Sequence, residues 1–388
     1  MNKVELLAPA GNYSKFKTAL YFGADAVYIG GKDFSLRAFS DNFSDEEIEK
    51  AVKKAHVKNV KIYVTVNIFA RNYVFDKAAE YFRFLERVNV DAVLITDPGL
   101  ISLCKKVAPN LKIHLSTQAN TLNKYAVKFW AEQGVERVVL ARELSLAEIK
   151  EIHEFCPETQ LEAFVHGAMC ISYSGRCLLS NYFNGRDANR GECVQACRWS
   201  YELREKSKSG EFFPVEEDGR GTYVLNSKDL NMINHIGEMI ESGICSLKIE
   251  GRMKSEYYLA TVVNAYRRAI DEYYKIGDKY VKNTMFYDEL KKTNHRAFTT
   301  AYMFGDNDET VNYADTQSSG EKQFIAVVTE SSDESGYFVA EMRNRFKKGD
   351  RLELLTPNEN FNEIIEIGEM RDADGDLVED AKIVQQKL

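Results

Sequence analysis

No stretch of about 18 consecutive apolar residues occurs anywhere in the 388-residue chain, so the sequence offers nothing from which to build a spanning helix. Met1, Asn2 and Lys3 lead straight into the strand-like run Val4–Leu7 without the apolar region of a secretory signal. The expected compartment is therefore cytoplasmic, with no membrane partner. Missing too is a GxGxxG turn after the first strand, where the chain reads Ala8-Pro9-Ala10-Gly11-Asn12; this argues against an open dinucleotide-binding sheet. Neither HExxH nor GxSxG is present, and the six histidines, His56, His114, His153, His166, His235 and His295, never pair at i and i+4. The familiar machinery of proteolysis is not visible. Positive charge is in deficit, with 51 Lys and Arg against 59 Asp and Glu and a net charge of -8, so only a local basic patch could hold nucleic acid. The seven cysteines, an odd number without a secretory signal, point to thiol or metal chemistry rather than a disulfide framework.

What is present is an ordinary globular mixture, 44% hydrophobic and 28% charged, which excludes a disordered chain or a coiled-coil rod. Eight short apolar runs read as strands: Val4–Ala8, Ala26–Gly30, Lys61–Asn67, Ala92–Asp97, Lys112–Gln118, Arg137–Arg142, Leu161–Gly167 and Ser246–Gly251. Segments of helical period lie between most of them, among them Tyr13–Phe22, Asp45–His56, Asp76–Val88, Leu122–Gln133 and Leu146–Phe155, with start signals at Asn12, Ser44 and Ser145. Eight β-α units are the number that closes a parallel barrel, so the expected fold is α/β, a TIM-like (β/α)8 barrel over residues 1–280. An insertion at 168–245 lies between the seventh and eighth strands and is expected to project over the barrel mouth, ending in a helix from Ser227 to Glu241. A helix over Tyr257–Ile276 follows, then a connecting segment, 281–320, and a small β-rich domain, 321–388. The strand-like end, Ile383–Leu388, has no evident closing turn and suggests a truncated domain.

Cys170, Cys177, Cys193 and Cys197 fall within 28 residues, separated by six, fifteen and three positions. Four thiolates suit zinc or an iron–sulfur cluster, and Cys193 and Cys197 at i and i+4 share one face of a helix. The first gap is too wide for a zinc knuckle and the set matches no common ferredoxin spacing, so spacing alone leaves both metals open. Several buried apolar cysteines are the competing explanation.

The segment Glu162-Ala163-Phe164-Val165-His166-Gly167-Ala168-Met169-Cys170, followed by Gly175-Arg176-Cys177-Leu178-Leu179-Ser180, resembles the signature of the collagenase-like peptidase family U32. Glu5–Asn12, Gly23–Gly31, Asn226–Leu230 and Lys248–Lys254 support the same resemblance, which covers most of residues 1–320. Asn294–Ala301 is similar as well, with Ala301 where the family pattern leads us to expect Gly. The branch it looks most like is the one that hydroxylates tRNA. The resemblance implies prephenate-dependent conversion of wobble uridine to 5-hydroxyuridine, with the four cysteines holding a 4Fe-4S cluster. It implies tRNA as a partner, and an electron donor or second family subunit as a further one. The alternatives are a peptidase and a non-catalytic RNA-binding factor with a structural metal.

Polar residues at the strand ends would ring the barrel mouth: Asn67, Asp97, Gln118, Arg142, His166, Glu250 and Arg252. His166, Glu250 and Asp97 are the candidate acid–base groups. Arg142, Arg252 and Arg37 are candidate clamps for the two carboxylates of prephenate, because guanidinium binds carboxylate bidentately. Each has a bland counterpart: a rim ion pair for the arginines, a core histidine for His166 and a helix cap for Asp97. For RNA, Arg176, Arg186, Arg190, Arg198 and Arg204 are interleaved with Tyr173, Tyr182, Phe183, Trp199 and Tyr201, a pattern that can hold phosphates and stack an unpaired base. Arg343, Arg345, Lys347 and Lys348 around Phe346 form a second basic group in the β domain.

Overall fold

The computed structural model describes residues 3–35, 42–170, 172–186, 188, 192–198, 217–218, 221–222, 227–277, 280–305, 319–330 and 337–388. Eight parallel strands follow one another: β1 (Glu5–Pro9), β2 (Ala26–Gly30), β3 (Lys61–Val66), β4 (Ala92–Ile95), β5 (Lys112–Leu115), β6 (Arg137–Val139), β7 (Gln160–Ala168) and β8 (Ser246–Ile249). Each pairs with the next, and β8 closes the ring, with Ser246 opposite Glu162 of β7 and Glu5 of β1. Helices α1 (Tyr13–Tyr21), α2 (Asp45–His56), α3 (Phe75–Arg87), α4 (Pro98–Val107), α5 (Lys124–Glu132) and α6 (Leu146–Phe155) alternate with the strands, and α7 (Leu179–Asn184) follows β7. Strands in such a barrel are covered on both faces, which is why β4 reads as the unbroken apolar run Ala92-Val93-Leu94-Ile95. Side-chain caps fix where the helices begin. Ser44 and Ser145 form capping boxes with Glu47 and Glu148, and each such cap contributes about 1 kcal/mol.

Two parts of the architecture differ from the sequence expectation. In place of a continuous helix from Ser227 to Glu241, Asp229–Asn231 forms a strand antiparallel to the end of β7, and helix α8 spans only Ile236–Glu241. Two interactions set this: the Asn231 side chain accepts the Ile233 N–H, and the Asp229 carboxylate is drawn into an ion pair at 2.6 Å with the distant Arg296. Nor does 281–320 simply connect two domains. After helix α9 (Glu256–Ile276), helix α10 (Thr284–Lys291) buries Phe286 and Leu290 in the main core, and Phe298–Thr299 pairs with Asp229–Leu230.

The small domain has its own core of Met342, Phe346, Met370 and Ala381. Ala326–Glu330 pairs with Val339–Met342, and Arg351–Glu353 with Ile364–Glu366, both antiparallel. The chain end is paired, since Leu388 and Ala340 exchange two backbone hydrogen bonds of 2.9 Å. A polar seam joins the domain to the barrel. Asn264 and Arg268 of α9 donate to the Thr356 carbonyl, Arg268 also reaches the Asn358 carbonyl at 2.7 Å, and Tyr257 stacks on Phe324.

Candidate active site

A cavity of about 460 Å³ opens at the C-terminal ends of the barrel strands, the place where enzymes of this architecture do their chemistry. The strand ends contribute Thr65, Asn67, Gln118, Arg142, Glu250 and Arg252, and the insertion contributes all four clustered cysteines. Two contacts moor the insertion to the rim. Glu143, just after β6, accepts the Ser174 N–H at 2.7 Å and its hydroxyl at 2.8 Å, and Arg176 donates to the Gln118 carbonyl at 2.8 Å. Described residues of the insertion, the four cysteines among them, thus lie at the mouth.

The lining is cationic. Arg142, Lys248, Arg252 and Lys254 face the cavity against a single carboxylate, Glu250, among the described residues. Arg142 lies 3.9 Å from the Phe164 ring centroid, donates to the Ala168 carbonyl at 2.9 Å and stands 3.7 Å from Glu250. Arg252 is buried and gives its guanidinium to the hydroxyls of Ser35 at 2.6 Å and Thr65 at 3.1 Å. Gly30 makes room for it, since a Cβ there would stand 2.2 Å from the Arg252 Nη1.

The four cysteines share one cavity. Cys193 Sγ accepts the Gln195 N–H at 3.4 Å and faces the Ser180 hydroxyl at 3.8 Å; Cys177 Sγ accepts the Leu179 N–H at 3.3 Å. Burial pushes the Cys170 thiol above its ordinary range; Cys177 and Cys193 add to that, while a backbone hydrogen bond from Ser172 and the Arg142 guanidinium oppose it. The donor set therefore has the soft chemistry that zinc or an iron–sulfur cluster wants. Among the described residues, no three His, Cys, Asp or Glu side chains are gathered closely enough to hold a metal ion as they stand.

Of the other candidates, Arg142, Arg252 and Glu250 come together in the cavity, and two do not join them. His166 is 2% exposed, packed among Tyr258, Tyr266 and Phe298 behind the barrel wall, and burial drives its imidazole down to about 3. It is a neutral core histidine. Asp97 caps α4, accepting the Leu100 N–H at 3.0 Å, and does not line the cavity. Arg37, Arg190, Trp199, Tyr201 and Arg204 lie outside the described residues. Tyr173, Tyr182 and Phe183 are exposed near the mouth, whereas in the small domain Arg343 pairs with Glu341, Arg345 with Asp380 and Lys348 with Glu379 around a buried Phe346. That second basic group is largely neutralised at home.

Sequence reasoning missed Lys248 and Lys254 as lining residues. Lys248 carried a signal, because a lysine inside a strand buried on both faces has to be aimed at a partner or an opening.

A closed parallel barrel whose catalytic end bears a cationic, thiol-lined cavity defines a barrel enzyme. The chain belongs to peptidase family U32: the family model matches residues 11–313, and the model of the family's C-terminal domain matches residues 321–388. It is 43% identical to tRNA hydroxylation protein P1 of Bacillus subtilis, over 100% of this chain and 92% of that one. It is 37% identical to tRNA hydroxylation protein P of Escherichia coli, over 97% and 91%. With the 23S rRNA 5-hydroxycytidine synthase of Escherichia coli it shares 37% identity over 70% of this chain and 40% of that one.

Proposed function

We propose that the protein is an RNA hydroxylase that converts the wobble uridine of tRNA to 5-hydroxyuridine, in a prephenate-dependent reaction supported by a 4Fe-4S cluster. The observation that carries this reading is the meeting of four cysteines and a cationic cavity at one barrel mouth, in a chain whose relatives are named for RNA hydroxylation. Cys170, Cys177, Cys193 and Cys197 would hold the cluster, which when bound supplies redox chemistry at the cavity wall. Arg142 and Arg252 offer guanidinium groups to the carboxylates of prephenate, and Glu250 is the carboxylate in reach of both the ligand and Arg142. Exposed Tyr173, Tyr182 and Phe183 offer faces on which anticodon bases can stack outside the mouth. The cytosol is where such a protein would meet tRNA, and no helix among the described residues is long and apolar enough to cross a membrane.

Peptidase chemistry finds less support. No histidine lines the cavity among the described residues, so a Cys–His dyad is not assembled there. The test is mass spectrometry of tRNA nucleosides from a deletion strain, with metal and sulfide analysis of the anaerobically purified protein. Expected are loss of 5-hydroxyuridine, its return with the wild-type chain but not with Cys193→Ala, and about four irons per chain. Unchanged 5-hydroxyuridine in the deletion strain would sink the activity, and one zinc without sulfide would sink the cluster.

A further inference from the structure

The interior of a parallel barrel is ordinarily filled by branched aliphatic side chains. Here a file of charges of alternating sign runs through it. At the N-terminal end the Lys61 ammonium, on a half-exposed side chain, lies 3.1 Å from Glu5. Glu5 also accepts from Tyr63 at 2.8 Å and Ser246 at 3.0 Å, and pairs with Arg137 at 2.6 Å. Arg137 reaches Glu162 at 3.2 Å, and Glu162 pairs with Lys248 at 2.7 Å. Lys248 is the end of the file, on the floor of the cavity. Buried ion pairs are commonly no more stabilising than well-packed apolar residues of the same size, so stability gives this file no purpose. What it achieves is to hold an ammonium group at the bottom of a cavity, with a carboxylate behind it and open space in front.

The surroundings of that ammonium point to a ligand. Lys248 Nζ lies 4.7 Å from the Tyr28 ring centroid and 5.3 Å from that of Phe164, whose ring also carries Arg142 at 3.9 Å. Two cations thus meet on one aromatic ring. Arg142 Nε is buried with no hydrogen-bond partner among the described residues, a donor left over in a wall where donors are normally satisfied.

We infer that Lys248 and Arg142 form the floor of an anion subsite that takes a carboxylate of a small ring-bearing acid, whose ring packs against Tyr28 and Phe164. Glu162, Arg137 and Glu5 are positioning residues that keep Lys248 in place. The inference rests on the function proposed above only in the choice of prephenate as a probe.

The test is calorimetric titration of the purified protein with prephenate, and with malonate as a ring-free dicarboxylate. Lys248→Met should weaken prephenate binding roughly thirtyfold or more, and Lys248→Arg should restore part of it, with metal content unchanged in both. Because Lys248→Met leaves Glu162 with one cation fewer, the double variant Lys248→Met/Glu162→Gln removes the buried charge as well; it should fold normally and still bind weakly. Wild-type affinity in the two Met variants would overturn the inference and leave the proposed function standing. Malonate binding that depends on Lys248, without prephenate binding, would overturn the assignment to a ring-bearing acid and discard prephenate as co-substrate. Failure of the wild-type protein to bind either acid would overturn the subsite.

Discussion

Ala301 has a φ of 50°, in the left-handed region where a Cβ crowds the following carbonyl. Its N–H is held by the Thr299 hydroxyl at 3.0 Å, so the backbone cannot relax out of that conformation without losing a bond. Ala301→Gly is expected to raise stability by up to about 1 kcal/mol, less than the full steric relief because glycine loses more freedom on folding. Chemical denaturation of the two proteins would show it. His166 makes the opposite kind of prediction, one of pH. Its folded-state value, near 3, lies below the ordinary value, so the stabilisation it represents is complete above about pH 6.5 and is lost as the pH falls towards 3. Between pH 7.5 and 4.5 this group alone should cost about 2–3 kcal/mol. His114, wholly buried and also driven well below its ordinary range, acts in the same direction. A His166→Asn variant should therefore show a shallower, though not flat, decline of stability with acid; a slope identical to wild type would contradict the neutral assignment.

Among the elements, the short strand Asp229–Asn231 depends on one ion pair. Burial works to raise the Asp229 carboxyl, but the charges of Arg296 and Lys254 and the hydrogen bonds from Arg296 overcome it and hold the group below its usual range. Asp229→Ala takes a carboxylate away from a buried guanidinium and should cost about 3–5 kcal/mol, measurable as a lowered denaturation midpoint at pH 7. This strand also shows where the sequence stopped being readable. The eight barrel strands were legible because Val, Ile and Leu recur in runs bounded by helical segments, and Leu146–Phe155 was legible to its last residue because Ser145 and Glu148 announce its start. Asp229–Asn231 was not, since its partners are Ala168, Gly167 and His166, more than sixty residues away, and no local period encodes such a pairing. The cysteines and Arg142, Arg252 and Glu250 could be placed because barrel topology sends strand ends to one mouth. His166 was misplaced because the alternation that turns Glu162 and Phe164 into the barrel is broken at a register shift against Lys248 and Ile249 of β8, which no local pattern announces, and its ring packs on Tyr258 and Tyr266 of α9.

At the scale of the whole molecule, two cores meet across a seam centred on α9 and α10. Lys292 stands in it, bound to Glu289, Glu353 and Asn362. Lys292→Met should leave the buried Glu289 carboxylate short of charge, lowering stability by about 3 kcal/mol. Hydrogen exchange should quicken along Arg351–Glu353 and Ile364–Glu366 while β1 to β5 stay protected.

Helix α9 touches both sides of that seam. One turn donates the Tyr258 hydroxyl to the carbonyl of Glu250, at 3.1 Å; further along, Tyr266 bonds the carbonyl of Val165, at 2.8 Å, and Asn264 and Arg268 grip Thr356 and Asn358. Within eleven residues, 258 to 268, one helix thus holds the cavity rim, the barrel wall and the small domain in common, so a shift of any one of the three strains bonds to the other two.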